Sequence, residues 1–166
     1  MSTRKATLAV RQRKGRGFDV SVCGRMISED VKAKVEAATR RIGLAIMGAK
    51  LANTITIKVT LVRGLEGCNG DISTVNRTVS TTSMRAFPIR IQAGLPFEQM
   101  LKTLAHEIQH VEQIRRGRLQ YRMWVSDRQL HVRWEGKEMG TFNSIPYYTR
   151  PWEVEARAAA EKFSKV

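Results

Sequence analysis

The chain has few means of stapling itself together. Its 166 residues include two cysteines, Cys23 and Cys68, too few for a disulfide framework and too far apart for a cysteine metal cluster. Both are expected as reduced thiols. Long apolar runs are missing as well. No stretch approaches the ~20 residues that cross a bilayer, and the first residues lack the apolar core of a secretory signal. The expectation is a protein with no membrane partner, at work in the cytoplasm. Acid is scarce, with 15 Asp and Glu against 29 Lys and Arg, for a formal net charge of +14. Such a surface attracts polyanions and makes nucleic acid an expected partner, although net charge can also serve solubility alone. Histidine occurs three times, at 106, 110 and 131, so where it falls carries weight.

Residues 1–17 hold six basic residues and no acid, with Gly15 and Gly17 at the end. They are expected as a flexible basic arm able to touch phosphates. Residues 18–166 are then one domain, long enough to bury a real core.

Ser28 followed by Glu29 and Asp30 makes an N-cap and an acidic first turn. Val31, Val35, Ala38, Ile42 and Ala45 recur at helical spacing, which predicts a helix over 28–47 that Gly48 ends. Residues 54–62 alternate β-branched apolar and polar side chains, the pattern of a half-buried strand. Gly64, Gly67, Asn69 and Gly70 mark a loop, and the Thr/Ser-rich run to Ser83 reads as a second strand or an excursion. Residues 87–91 form a short strand, placed at a sheet edge because Pro88 cannot donate to a ladder. Residues 121–125 and 130–134 alternate around a four-residue turn, as in a hairpin. Gly136, Gly140 and Asn143 mark further loop, and Pro151 opens a closing helix with Trp152, Ala156, Ala159, Ala160 and Phe163 on one face.

Between these lies the stretch with chemistry in it. Leu104-Ala105-His106-Glu107-Ile108-Gln109-His110 contains His-Glu-x-x-His within a helix predicted over 96–116, with Gly117 as its stop. At about 100° per residue, positions 106 and 110 stand one above the other on a single helix face. Two neutral imidazoles so placed can hold one Zn²⁺ while Glu107 serves as general base. Two surface histidines beside a solvated glutamate would be the bland alternative. Against it, two of the three histidines fall at ligand spacing, opposite an apolar face of Phe97, Leu101, Leu104, Ile108 and Val111. A catalytic zinc usually has a third protein ligand, and His131, Glu153, Glu155 or a less patterned acid are the candidates. The two glutamates lie about 200° apart around a helix, so only one can face the ion.

On Thr103–Gln113 and on Pro146-Tyr147-Tyr148-Thr149-Arg150-Pro151-Trp152-Glu153-Val154-Glu155-Ala156, the chain resembles the gluzincin metallopeptidases. In particular it looks like the small single-domain SprT-like zinc peptidases of phages and bacteria, over about 55–163. The resemblance implies an α+β, zincin-like (minigluzincin) domain. A small antiparallel or mixed sheet would pack on the His-Glu-x-x-His helix and on a C-terminal helix carrying the third ligand. It also implies Zn²⁺ held by His106, His110 and Glu153, with Ala156 matching the family's small residue. The acid that would orient a ligating histidine is replaced by Arg157, which keeps Glu155 as the alternative ligand. SprT proteases place a third histidine on a later segment, where the only counterpart is His131. The implied activity is hydrolysis of a peptide or protein substrate, with Glu107 as general base and Tyr148 as the oxyanion donor. Tyr147 and Arg150 are further candidates for that donor. A phage origin would put the protein in the host cytoplasm or the virion. The competing reading is a basic, nucleic-acid-associated protein that processes DNA-bound proteins or only binds.

Overall fold

Ser28 caps the first long helix through its hydroxyl, which accepts from the Val31 amide at 3.4 Å, and Gly48 ends it with φ of +74°. Such local signals set the elements of a computed structural model that describes residues 17–72 and 83–164. The expected basic arm therefore lies outside the described residues apart from Gly17, as does the Thr/Ser-rich run over 73–82.

In chain order the elements are β1 (Asp19–Cys23), α1 (Glu29–Met47), α2 (Ala49–Ala52), β2 (Thr56–Val62), β3 (Gly70–Ile72) and β4 (Ala86–Gln92). They continue with α3 (Phe97–Arg115), β5 (Leu119–Met123), β6 (Leu130–Trp134), β7 (Lys137–Thr141) and α4 (Pro151–Lys162). The architecture is α+β. One four-stranded mixed sheet runs β1-β2-β4-β3, with β1, β2 and β4 parallel and β3 antiparallel to β4. A second, antiparallel sheet runs β5-β6-β7.

Alternation in β2 and β4 sends Ile57, Val59, Leu61, Phe87, Ile89 and Ile91 into the core. α1 packs on β1 and α3, and α3 on β4 and β3. Leu104, Ile108 and Val111 of α3 are fully buried, so the periodic apolar face docks α3 onto the sheet and turns the opposite face, with its histidines, outward. α4 packs along α3 through Trp152, Ala156 and Ala160.

Two expectations are corrected. β4 is not an edge strand: it lies between β2 and β3, and among the described strands the edges are β1 and β3. The described pairing with β3 covers Ile89–Ile91, which makes β4 an inner strand despite Pro88. The expected loop around Gly136 and Gly140 contains β7, joined to β6 by Glu135 and Gly136, both with positive φ as a tight two-residue hairpin turn requires. β1 adds a further strand, paired with β2 along its whole length.

Candidate metal centre

His106 and His110 stand one turn apart on α3 with ring centroids 4.8 Å from each other. The carboxylate that meets them comes from the first turn of α4. That helix is aimed by the segment before it. Arg150 donates from Nε to the Ile145 carbonyl and from Nη2 to the Phe142 carbonyl, both at 3.0 Å. Its guanidinium lies 3.9 Å over the Phe142 ring. With Arg150 spent on folding this approach and Pro151 at the helix start, Glu153 projects into the space between the histidines.

Glu153 Oε2 lies 3.2 Å from His106 Nε2 and 3.4 Å from His110 Nε2, and the two Nε2 atoms are 3.2 Å apart. No hydrogen bond of good geometry satisfies this buried oxygen. An unpartnered buried carboxylate oxygen facing two ring nitrogens is what a cation site looks like with only protein present. The group His106, His110 and Glu153 could hold a metal ion.

The electrostatics agree. Burial alone would push Glu153 up, but the two imidazoles outweigh it and hold the carboxyl well below the usual carboxylate range. Burial pulls His110 down, while Glu153 and Glu107 carry it upward on balance. Glu107, 7% exposed, is raised, because its desolvation exceeds the pull of the two histidines.

Of the other candidates, Glu155 points away from the trio. Arg118 grips it at 3.0 Å through both terminal nitrogens. His131 also stands apart, with Nε2 2.7 Å from Asp127 and its ring stacked on Trp124 at 4.5 Å. Tyr148 was expected as the oxyanion donor. It is 78% exposed and is not part of the cleft wall. Arg157, donating to the Tyr148 carbonyl at 2.8 Å, fastens that turn from outside. The neighbouring tyrosine is the one that lines the cleft: Tyr147 is raised by burial and by Glu153 beside it.

The histidines, Glu107 and Glu153 open onto a cleft of about 630 Å³. Its walls include Gly70–Ile72 of β3 on one side and Tyr121, Met123 and Leu130 of the hairpin on another. Two residues escaped the sequence reading. Tyr121 is a cleft residue whose hydroxyl is pushed up by burial and by Glu153; only its inward register on β5 hinted at this. Gln113, fully buried, places Oε1 2.9 Å from His110 Nδ1. Its signal was available, since it stands three residues beyond His110 on the same helix face. No known protein family, no curated protein and no solved structure matches this chain.

Proposed function

We propose that the protein is a zinc-dependent peptidase with a zincin-like fold. The observation that carries this reading is the convergence of His106 Nε2, His110 Nε2 and the unsatisfied Glu153 Oε2, with buried Glu107 alongside, at the wall of an open cleft. Two imidazoles and one carboxylate suit Zn²⁺ at a catalytic site, where a fourth position stays open. When bound, the ion supplies Lewis acidity, acidifying water and polarising the scissile carbonyl.

The chain's own residues supply the rest. Glu107 takes a proton from the attacking water and delivers it to the departing amine as the C–N bond breaks. Its raised pKa brings its basicity toward working pH. Tyr147, beside Glu153, is the hydroxyl assigned to the developing oxyanion, with Tyr121, which also lines the cleft, as a second donor. β3, an edge strand among the described residues, lines the cleft and suits an extended peptide.

Elemental analysis of wild type, His106→Ala, Glu153→Ala and Glu155→Ala tests the site. We expect near-stoichiometric zinc that is lost in the first two variants and kept in the third. Glu107→Gln, zinc-loaded and unable to cleave casein or a quenched peptide library, completes the test. Wild type that binds no zinc when supplied sinks the reading.

A second reading follows from the charge of +14: the protein associates with nucleic acid, either to reach DNA-bound substrates or simply to bind. DNA affinity that falls steeply with salt, and less steeply after deletion of residues 1–17, is the expected outcome. Affinity indifferent to both removes it.

A further inference from the structure

We infer that Gln113 is a positioning residue for the metal centre. It locks His110 as the Nδ1–H tautomer, leaving Nε2 unprotonated toward His106 and Glu153. The inference rests on the metal reading but is decided by hydrogen bonding within the protein.

The partners of Gln113 fix which end of its amide is oxygen. One end sits 3.0 Å from the Trp152 carbonyl and 2.9 Å from Glu155 Oε2. Both partners only accept, so that end is the NH₂ group. The flipped amide would set its oxygen against a carbonyl and a carboxylate inside the protein. The oxygen therefore faces His110, at 2.9 Å from Nδ1. An amide oxygen cannot donate, so the proton of this contact belongs to the imidazole. In the neutral ring the free lone pair is then on Nε2, the atom that faces Glu153 at 3.4 Å.

The lock is anchored from behind. Glu155 takes the Gln113 amide on Oε2 while Arg118 holds both its oxygens at 3.0 Å. Arg118 is in turn braced by Glu135 at 2.8 Å and by the Trp134 ring 4.9 Å beneath its guanidinium. Gln113 is fully buried, so solvent does not compete for its amide. Through the Trp152 carbonyl it also ties the helix of the two histidines to the helix of Glu153. Ligating histidines characteristically donate their second nitrogen to a carboxylate, a carbonyl or water. Here a glutamine side chain takes that part, and Glu155, one candidate for the ligand itself, acts at one remove by holding the glutamine.

The test pairs a spectroscopic readout with metal affinity. Long-range ¹H–¹⁵N spectra of the metal-free protein, at a pH where the imidazole is neutral, report the tautomer of His110. Chelator competition reports zinc affinity. Wild type should show His110 protonated at Nδ1. Gln113→Leu should show a mixture of tautomers and zinc binding weakened by about 10- to 100-fold. Glu155→Ala should keep full zinc stoichiometry with a smaller loss of affinity. If Gln113→Leu does not fold, Glu155→Ala carries the comparison, because the Glu155 side chain is 36% exposed and its loss leaves no large void. An unchanged tautomer and unchanged affinity in the variant that folds overturn the inference. If wild type binds no zinc, the metal reading fails and the spectra alone decide: a tautomer lost with Gln113 sustains the lock, and one retained without it removes it.

Discussion

A Cβ on Gly70 would fall 2.5 Å from Cγ2 of Thr103, so the strand β3 lies against the helix of His106 and His110 with no room for a side chain between them. Thr103 stands one turn before His106 and Glu107, so this contact sets how near the cleft wall approaches the chemistry. Gly70→Ala should destabilise the protein by about 1–3 kcal/mol, the usual range for overpacking. It should also raise KM for peptides more than it lowers kcat. Chemical denaturation and steady-state kinetics check both. A variant with wild-type stability and KM would mean that β3 is not held by this contact.

The two tyrosines before α4 should behave differently. Tyr147→Phe removes a hydroxyl from the cleft and should lower kcat by about 10²-fold or more, as the loss of an oxyanion donor does. Tyr148→Phe should leave kcat within about twofold, because that ring lies on the outer surface. Equal effects of the two substitutions would contradict the assignment of Tyr147.

Glu107 should weaken the fold that it serves. Its carboxyl is pushed up by burial, with the histidines pulling back. A carboxyl raised in the folded state binds more protons there than when unfolded. It therefore removes stability as pH rises through that window and removes none below the ordinary carboxylate range. In the metal-free protein, Glu107→Gln should raise the melting temperature at neutral pH, and the gain should shrink as pH falls toward about 4. Its turnover with zinc should drop by about 10²- to 10⁴-fold. Melting curves across pH settle the first point; a gain that is constant with pH would show that the carboxyl is not perturbed.

Arg118 joins three carboxylates, of Glu112, Glu135 and Glu155. Arg118→Ala should cost about 1–3 kcal/mol, chiefly because Glu155 loses both of its Arg118 hydrogen bonds, while Glu112 keeps Arg116 and Gln109. Arg118→Lys should recover only part of this, since an ammonium cannot grip both Glu155 oxygens at once. Urea unfolding of the pair measures the difference, and full rescue by lysine would show that the forked geometry is immaterial.

What could be read in advance followed local chemistry. The cap at Ser28, the alternation of β2, the apolar stripe of α3 and the hairpin before Trp134 are written in neighbouring residues. The histidine pair was legible for the same reason, being a matter of spacing on one helix. Glu153 and Glu155 were close to a tie until the rotation of α4 about its axis was known. That rotation is set by burial of Trp152 against residues far away in the chain. The position of β4 inside its sheet likewise depends on β3, a three-residue strand too short to announce itself. β7, with Gly140 and two charged residues, has little strand propensity and is made by its partner β6. That Tyr147 and not Tyr148 lines the cleft depends on which side of a single helical turn faces inward, a matter of packing on Arg150 and Arg157.

The trio also has a mechanical meaning. His106 and His110 come from α3 and Glu153 from α4, and the whole β5-β6-β7 sheet is threaded between them in the chain. An ion gripping all three would close that long loop, as a disulfide does, by removing conformations from the unfolded chain. In a protein with two unpaired thiols and no sulfur bridge among its described residues, the cofactor would be the one strong cross-link. Losing it would then loosen the C-terminal helix as well as silence the chemistry.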